Sequence, residues 1–504
     1  MRNILLFGAG KSATVLIDYL LKNALAENWR LTVVDANLSL AQNKIGDALG
    51  GIAVSFDTKN EAEREKHIQE ADIVISLLPP SLHHLVAKDC LRFRKNLLTA
   101  SYVDDAIKEM SKEIDKAGLL FLCEMGLDPG IDHMSAKKLI DDIHLEGGIV
   151  NSFHSHCGGL VAPVSDNNPW RYKISWNPRN VVVAGKAGAT FKQEGKVTTL
   201  TYPELFAESR VVDIPGLEPL CWYPNRDSLS YIPLYNLKES PTFVRTTLRH
   251  PDFMYGWKNL IALKLTDEEG LYDTDGKTLI EFFKEHMDRH GFENWIQEKM
   301  QEQFQWSKKI LEDLVNLVEL EEKAKNVGGE GVEEFLMVNE KGSLESMDIE
   351  EVKTNAAASV AIKLHEAKLT LKQLFFLGMD DDKTLINKGR CTAADVLQFA
   401  LEKKLPLLAG DRDMVVMLHE IEYEKDDHVY KRTSSFVLEG ENDSRTAMAK
   451  TVGLPLGIAA RLILNGQINV KGLQVPVIPQ IYEPVLKELE QHGIQFNEQE
   501  TLLK

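Results

Sequence analysis

Cysteine is scarce. The 504 residues contain five, Cys90, Cys123, Cys157, Cys221 and Cys391, scattered without a CxxC pair or a regular spacing. So few, in an odd number, exclude a disulfide framework, give no metal-ligand signature, and suit free thiols in a reducing cytoplasm. Positive charge is also short, because 58 Lys and Arg face 76 Asp and Glu and leave a net charge of −18. That balance argues against a nucleic-acid or anionic-membrane surface. An anionic ligand must therefore be drawn in by a local basic pocket. No apolar run is expected to span a bilayer. Met1 to Gly8 imitate a signal peptide only briefly, since glycines follow after a few apolar residues and no cleavage site stands behind an h-region. No internal repeat or low-complexity tract is present. What remains is a soluble-type composition, 44% hydrophobic and 27% charged, at a length that predicts roughly two to four domains.

The N-terminal pattern is strand, turn, helix. Asn3 to Phe7 is a short apolar strand, Gly8-Ala9-Gly10-Lys11-Ser12-Ala13 follows, and Val15, Leu16, Tyr19 and Leu20 mark one helix face. This is the GxGxxA dinucleotide fingerprint in its required context. Gly8 permits the turn, Gly10 lets the backbone approach a pyrophosphate, and Ala13 allows close packing of helix on strand. A second strand, Leu31 to Val34, ends at Asp35, at about the spacing of a ribose-binding acid. Its carboxylate would accept both ribose hydroxyls and repel a 2′-phosphate, and no Arg follows nearby. The expected cofactor is thus NAD, with NADP less favoured. Asp57 and Thr58, after a third strand, are placed near the adenine. Further strands at Ile73–Leu78 and Asn96–Ala100 make a doubly wound Rossmann domain.

A corner then stands out. Gly118 to Leu122 reads as a buried parallel strand, and Cys123-Glu124-Met125-Gly126-Leu127-Asp128-Pro129-Gly130-Ile131-Asp132-His133 leads into a helix. It carries two aspartates and a histidine at the carboxyl end of a strand, where open α/β sheets bind ligands. Asp128 and Asp132 also suit turns and helix caps. From Ile149 short β-like runs (150–156, 181–184, 197–200, 243–248) alternate with turns rich in arginine, which suit carboxylate capture. Residues 277–405 read as helical and charged, with Thr392 to Asp395 as a capping box and 326–351 as an exposed loop or hairpin. Met414–Ile421 and Tyr430–Val437 should pair antiparallel, followed by one helix from Ser444 to about Val452 and a second from Leu456 to Leu464.

These strings resemble the glutamate-forming saccharopine dehydrogenases (saccharopine reductases). The landmarks are the corner itself, Cys157-Gly158-Gly159-Leu160, Tyr172-Lys173-Ile174-Ser175-Trp176, Tyr223 to Ser228, Thr247-Leu248-Arg249 and Asp411 to Val415. The likeness implies a homodimer of α/β fold class with a helical insertion. The domains would be a Rossmann unit over 1–130 and a mixed α/β substrate and dimerisation domain over 131–276. A helical domain over 277–405, return strands over 406–450 and C-terminal helices over 451–504 packing on the Rossmann unit would complete it. It implies interconversion of saccharopine with glutamate and 2-aminoadipate 6-semialdehyde. The cofactor site would comprise Gly8, Gly10, Lys11, Ser12, Ala13, Asp35, Asp57, Thr58, Ala100, Ser101, Leu127, Asp128, Pro129 and Ser175. The substrate site would comprise Ser101, Tyr102, Asp128, Arg226, Thr247, Leu248 and Arg249. Asp128, Tyr102 and Cys157 are the candidates for moving protons. One departure is that fungal members carry an arginine near the second strand end, where this chain has Asp35-Ala36-Asn37.

Overall fold

The computed structural model describes residues 1–326, 334–338 and 344–504. The chain forms two compact units, residues 1–251 with 405–504, and residues 252–404. The larger unit holds two sheets. The first is parallel and seven-stranded: the strand Gly472–Gln474, then β6 (Leu120–Leu122), β5 (Asn96–Thr99), β4 (Ile73–Ser76), β1 (Arg2–Phe7), β2 (Trp29–Val34) and β3 (Gly51–Val54). Strand order reverses between β1 and β4, and the carboxyl ends there open the crevice of a doubly wound sheet. Its inner strands β1, β4, β5 and β6 are buried on both faces, which is why they read as unbroken apolar runs. The edge strand from residue 472 was not visible in the sequence, because three residues give no periodicity to read.

The second sheet is built on β7 (Ile149–Val161). The strand Thr242–Arg249 lies parallel to it on one side and Asp413–Lys425 antiparallel on the other. Asp413–Lys425 turns at Asp426 and Asp427, both with positive φ, and pairs back with His428–Glu439 as the sequence suggested. Asn497–Leu502 adds a further strand. Strand parity sorts the faces of β7. Phe153 packs with Ala136, Leu139 and Ile140 of the helix Ile131–Leu145, whereas Leu160 packs with Leu248 and Val416 on the opposite side.

Several expectations shift. Pro178–Val183 is a short helix capped by Asn177, not a strand. Ala447–Leu464 is one helix with Pro455 inside it. Two glycines let it lie against the first helix, Thr14–Asn23. A Cβ on Gly453 would stand 2.8 Å from the Leu16 amide, and one on Gly457 would stand 2.6 Å from the Tyr19 ring. This packing outweighs the hydrogen bond that proline removes. The same helix is long and apolar enough to cross a membrane, contrary to expectation, and 67% of it is buried inside the fold, as in a core helix.

The smaller unit starts at Asp252, earlier than Lys277. The helix Pro251–Ala262 ties into the helix Ile349–Phe376 through Tyr255 Oη and Thr370 Oγ1 (2.8 Å), and Gln373 Nε2 donates to the Asp252 carbonyl (2.8 Å). Thr392 and Asp395 form the expected capping box. Of the expected hairpin at 326–351, Glu334–Val338 and Leu344–Asp348 pair antiparallel; residues 327–333 and 339–343 lie outside the described residues.

Candidate active site

The corner after β6 is held by backbone bonds before any side chain is considered. Glu124 N donates to the Ser101 carbonyl and Met125 N to that of Thr99 (3.1 and 3.0 Å), fastening the corner to the end of β5. Gly126 N donates to the Pro129 carbonyl, and Ile131 N returns to the Gly126 carbonyl (both 2.9 Å). Only glycine fits at 130, where φ is +147° and a Cβ would sit 2.1 Å from the Gly126 oxygen. This loop projects Asp128 and Asp132 toward one guanidinium.

That guanidinium belongs to Arg245. Its Nη2 donates to Asp128 Oδ1 (2.6 Å) and to Asp132 Oδ2 (2.7 Å). Tyr102 Oη donates to the same Asp128 oxygen (3.2 Å), and Asn225 Nδ2 approaches the other at 3.4 Å. Arg245 lies over the Tyr231 ring at 4.5 Å, and its Nε is buried without a hydrogen-bond partner among the described residues. Behind it Glu124 receives His133 Nε2 (2.9 Å), Tyr231 Oη (3.1 Å) and the Val103 amide (3.1 Å), while Tyr235 Oη meets His133 Nδ1 at 2.6 Å.

The two aspartates differ although they share a cation. Burial, then the charge of Asp132, raises Asp128 to about 6 against the pull of Arg245. Burial also works against the ionisation of Asp132. Neighbouring His133 and Arg245, with the Gly130 N–H at 2.6 Å, outweigh it and hold Asp132 below the usual carboxylate range. Burial drives the Tyr102 phenol and the Cys157 thiol far upward, and nearby carboxylates add to it.

The expected site residues fall into three groups. Tyr102 and Asp128 are in direct contact, Cys157 and Thr247 are register partners on adjacent strands, and Arg226 stacks over the Tyr102 ring at 5.3 Å. Ser101, Ala100, Leu127 and Pro129 belong to the same pair of strand ends. The second group frames the glycine turn. Gly8 has φ +98°, and a Cβ on it would strike the Leu77 carbonyl at 2.8 Å; beside Gly10 there is open space. Lys11, Ser12 and Ala13 form the first helical turn, and Lys11 Nζ donates to the Ile174 carbonyl (3.1 Å), next to buried Ser175, which hydrogen-bonds Asp413.

The third group lies apart from the Arg245 cluster. Leu248 points into the opposite core face. Arg249 donates to the Leu248 carbonyl (2.7 Å) and covers the Tyr172 ring. Asp57 receives the Lys59 amide, and Thr58 receives Arg64 on its carbonyl.

Sequence reasoning met Arg245, Asn225 and Glu124 only within longer strings and gave none of them, nor Tyr231 or Tyr235, a place in the site. Strand parity could have found the first. Residues 245, 247 and 249 share a face, so a strand run that includes Thr247 and Arg249 points equally to Arg245.

The glycine turn fits a dinucleotide. Its open cradle at Gly10 and the unpaired amides that begin any helix are donors for a pyrophosphate. A doubly wound sheet with this turn, beside a strand-end cluster of ionisable groups, defines a Rossmann-type oxidoreductase. Comparison with known proteins narrows it. Residues 4–122 match the saccharopine dehydrogenase NADP binding domain, and 126–494 match the saccharopine dehydrogenase C-terminal domain. The chain is 32% identical over 500 residues to saccharopine dehydrogenase [NADP(+), L-glutamate-forming] of Saccharomyces cerevisiae, covering 99% of each. It is 31% identical to the protein of that name from Pyricularia oryzae, covering 99% of this chain and 98% of the relative. The solved apo saccharopine dehydrogenase (L-Glu forming) of Saccharomyces cerevisiae superposes with a TM-score of 0.77 at 30% identity, covering 99% of this chain and 100% of the other. The chain belongs to the saccharopine dehydrogenase family.

This corrects the expectation of NAD over NADP, since these relatives are named as NADP(+) enzymes and the matching N-terminal family is an NADP binding domain. The geometry of Asp35 shows where the reading failed. Its carboxylate is a turn former, receiving the Ala9 and Asn37 amides (2.8 Å each). Lys44, from the helix Leu38–Ile45, meanwhile brings a cation to the Gly10 carbonyl (2.5 Å). No reading confined to the residues just after the second strand finds it.

Proposed function

We propose that the protein catalyses the interconversion of saccharopine, NADP+ and water with L-glutamate, L-2-aminoadipate 6-semialdehyde and NADPH. The observation that carries this reading is Asp128, a buried carboxyl with a near-neutral pKa, set between Arg245 and Tyr102 beside the nucleotide crevice. Bound NADP+ supplies the hydride acceptor. The chain supplies position and proton transfer. The secondary amine of saccharopine must be neutral before hydride leaves the adjacent carbon, and water must lose a proton as it adds to the imine. Tyr102 and Cys157 stay protonated at neutral pH because burial opposes their anions. Of the three candidates, Asp128 alone exchanges a proton in that range.

Saccharopine carries three carboxylates, so cations must fix which carbon faces the cofactor. Nη2 of Arg245 is committed to Asp128 and Asp132, so we assign it as their counter-ion rather than as an anchor. Arg226 is exposed, makes no ion pair among the described residues, and stacks on Tyr102 next to Asp128. It is the anchor nearest the chemistry, worth about 1.5–3 kcal/mol for a charge-assisted hydrogen bond. The test is the absorbance of reduced nicotinamide with saccharopine and NADP+ or NAD+ in parallel, with the amino-acid product identified. Glutamate formation with NADP+ preferred is expected. NADPH binding without turnover of saccharopine would sink the proposal.

A further inference from the structure

His83 sits in the helix Pro80–Arg92, buried and outside every set of residues assigned above. Its ring bridges two strand ends, with Nδ1 2.8 Å from Ser76 Oγ at the end of β4 and Nε2 2.8 Å from Ser101 Oγ just after β5. Ser101 also receives the Glu124 amide on its carbonyl, and its neighbour Tyr102 bonds Asp128. The bridge therefore joins the strand beside the glycine turn, where Leu77 abuts Gly8, to the end of β5, which bonds the loop that carries Asp128.

The bonds dictate a direction. Burial keeps the imidazole neutral, lowering its pKa to about 4 against the nearby charge of Asp104. A neutral ring has one N–H and one acceptor nitrogen. Ser76 is fully buried, and His83 is the one hydrogen-bond partner of its hydroxyl among the described residues. Were Nδ1 protonated, it would donate to Ser76, and the Ser76 proton would be buried without an acceptor, a loss comparable to a whole hydrogen bond. The satisfied arrangement has Ser76 donating to Nδ1 and Nε2–H donating to Ser101 Oγ. Ser101 then accepts from behind and keeps its own proton for the cleft. A path for protons through His83 is ruled out by the same geometry, because Ser76 has no exposure to water.

We propose that Ser76 and His83 are positioning residues that hold Ser101 as a hydrogen-bond donor toward an acceptor oxygen on the bound dinucleotide or amino acid. The assignment of a ligand to Ser101 rests on the function proposed above; the polarity of the bridge does not. Two measurements separate them. The first is the 15N spectrum of histidine-labelled apo protein, with the His83 signals identified by their loss in His83→Gln. An acceptor-type Nδ1 and a protonated Nε2 are expected, and a protonated Nδ1 overturns the proposal whatever the substrate.

The second compares Ser76→Ala, Ser101→Ala and the double variant, by NADPH affinity from fluorescence and by KM and kcat for saccharopine. Ser76 lies behind the ring, yet its removal frees the tautomer. Each single variant should weaken NADPH binding or raise KM by about five- to tenfold, the size of one lost hydrogen bond, with kcat much less affected. The double variant should be no worse than Ser101→Ala. Additive losses, or a Ser76→Ala protein with unchanged constants, overturn the proposal. Should saccharopine not be a substrate, the spectrum and the NADPH affinities still decide it. If a variant fails to fold, the wild-type spectrum still does.

Discussion

Of the arginines in the larger unit that each gather two carboxylates, Arg432 and Arg245 show a difference that separates scaffolding from the proposed chemistry. Arg432 joins Glu146 and Glu500 at the surface, and both carboxyls stay below their usual range, Glu146 chiefly through its bond with Arg432 and Glu500 chiefly through its bond with Tyr423, with Arg432 adding to it. Arg245 joins Asp128 and Asp132 in the interior and leaves them pushed in opposite directions. Both arginines contact their carboxylates directly. Solvent is what differs. At the surface, water and salt share the work of neutralisation, and such pairs contribute little. In the interior burial opposes both anions, and the carboxyl that His133 favours and the Gly130 N–H also holds, Asp132, stays ionised, while burial and the Asp132 charge raise Asp128.

The strongest way to break this contrast is Arg245→Met. Two buried carboxylates would then lack their counter-ion, and we expect destabilisation of about 3–5 kcal/mol by urea titration. A stable, folded Arg245→Met protein would mean that the cluster is wetter than its geometry indicates. Next comes Asp128→Asn, which keeps the shape and removes the proton carrier. The turnover rate should fall by about 10²-fold or more while NADP+ affinity holds. An unchanged rate would return the proton transfers to water or to the substrate's own amine.

The pH dependence sharpens the same point. With Asp128 as the proposed base, kcat/KM for saccharopine oxidation should rise as pH climbs through about 6, and that limb should vanish in Asp128→Asn. Stability should move the other way. A carboxyl whose folded pKa lies above its unfolded value binds its proton more tightly when folded, so this group's contribution declines as pH rises from the ordinary Asp range to about 6. The smallest effect belongs to Arg432→Met, expected to cost about 1 kcal/mol or less and to shrink further in salt. A loss rivalling that of Arg245→Met would erase the distinction between the two sites.

The Rossmann half was legible because each of its signals is local. The glycine turn, the apolar strands and the corner from Glu124 to His133 all declare themselves within about ten residues of sequence. The Arg245 cluster was half legible. Asp128 and Asp132 lie in that corner, but Arg245 reaches them across 117 and 113 residues, on a strand whose facing set by parity was not applied. Asp35 misled for a related reason. A strand-end acid is the expected ribose partner, yet here its oxygens serve the turn, and the nearby cation comes from Lys44 on the following helix. Val181 to Ala184 misled through β-branched composition, which a proline at the first helical position and an asparagine cap outweighed.

The strand Gly472–Gln474 sets a timetable for biosynthesis. It seals the outer edge of β6, and the Cys123 amide, one residue before Glu124, donates to the Gln474 carbonyl (3.0 Å). Residues near position 120 leave the ribosome some 350 residues before their partners, which at about 5–20 residues per second is roughly 20 to 70 seconds. During that interval the nascent chain carries an open β edge directly beneath its reactive corner, the kind of surface that recruits other strands. The edge beside the corner is therefore closed late, although most of the corner's recognisable sequence is made first, and it stays open until residues 472–474 arrive.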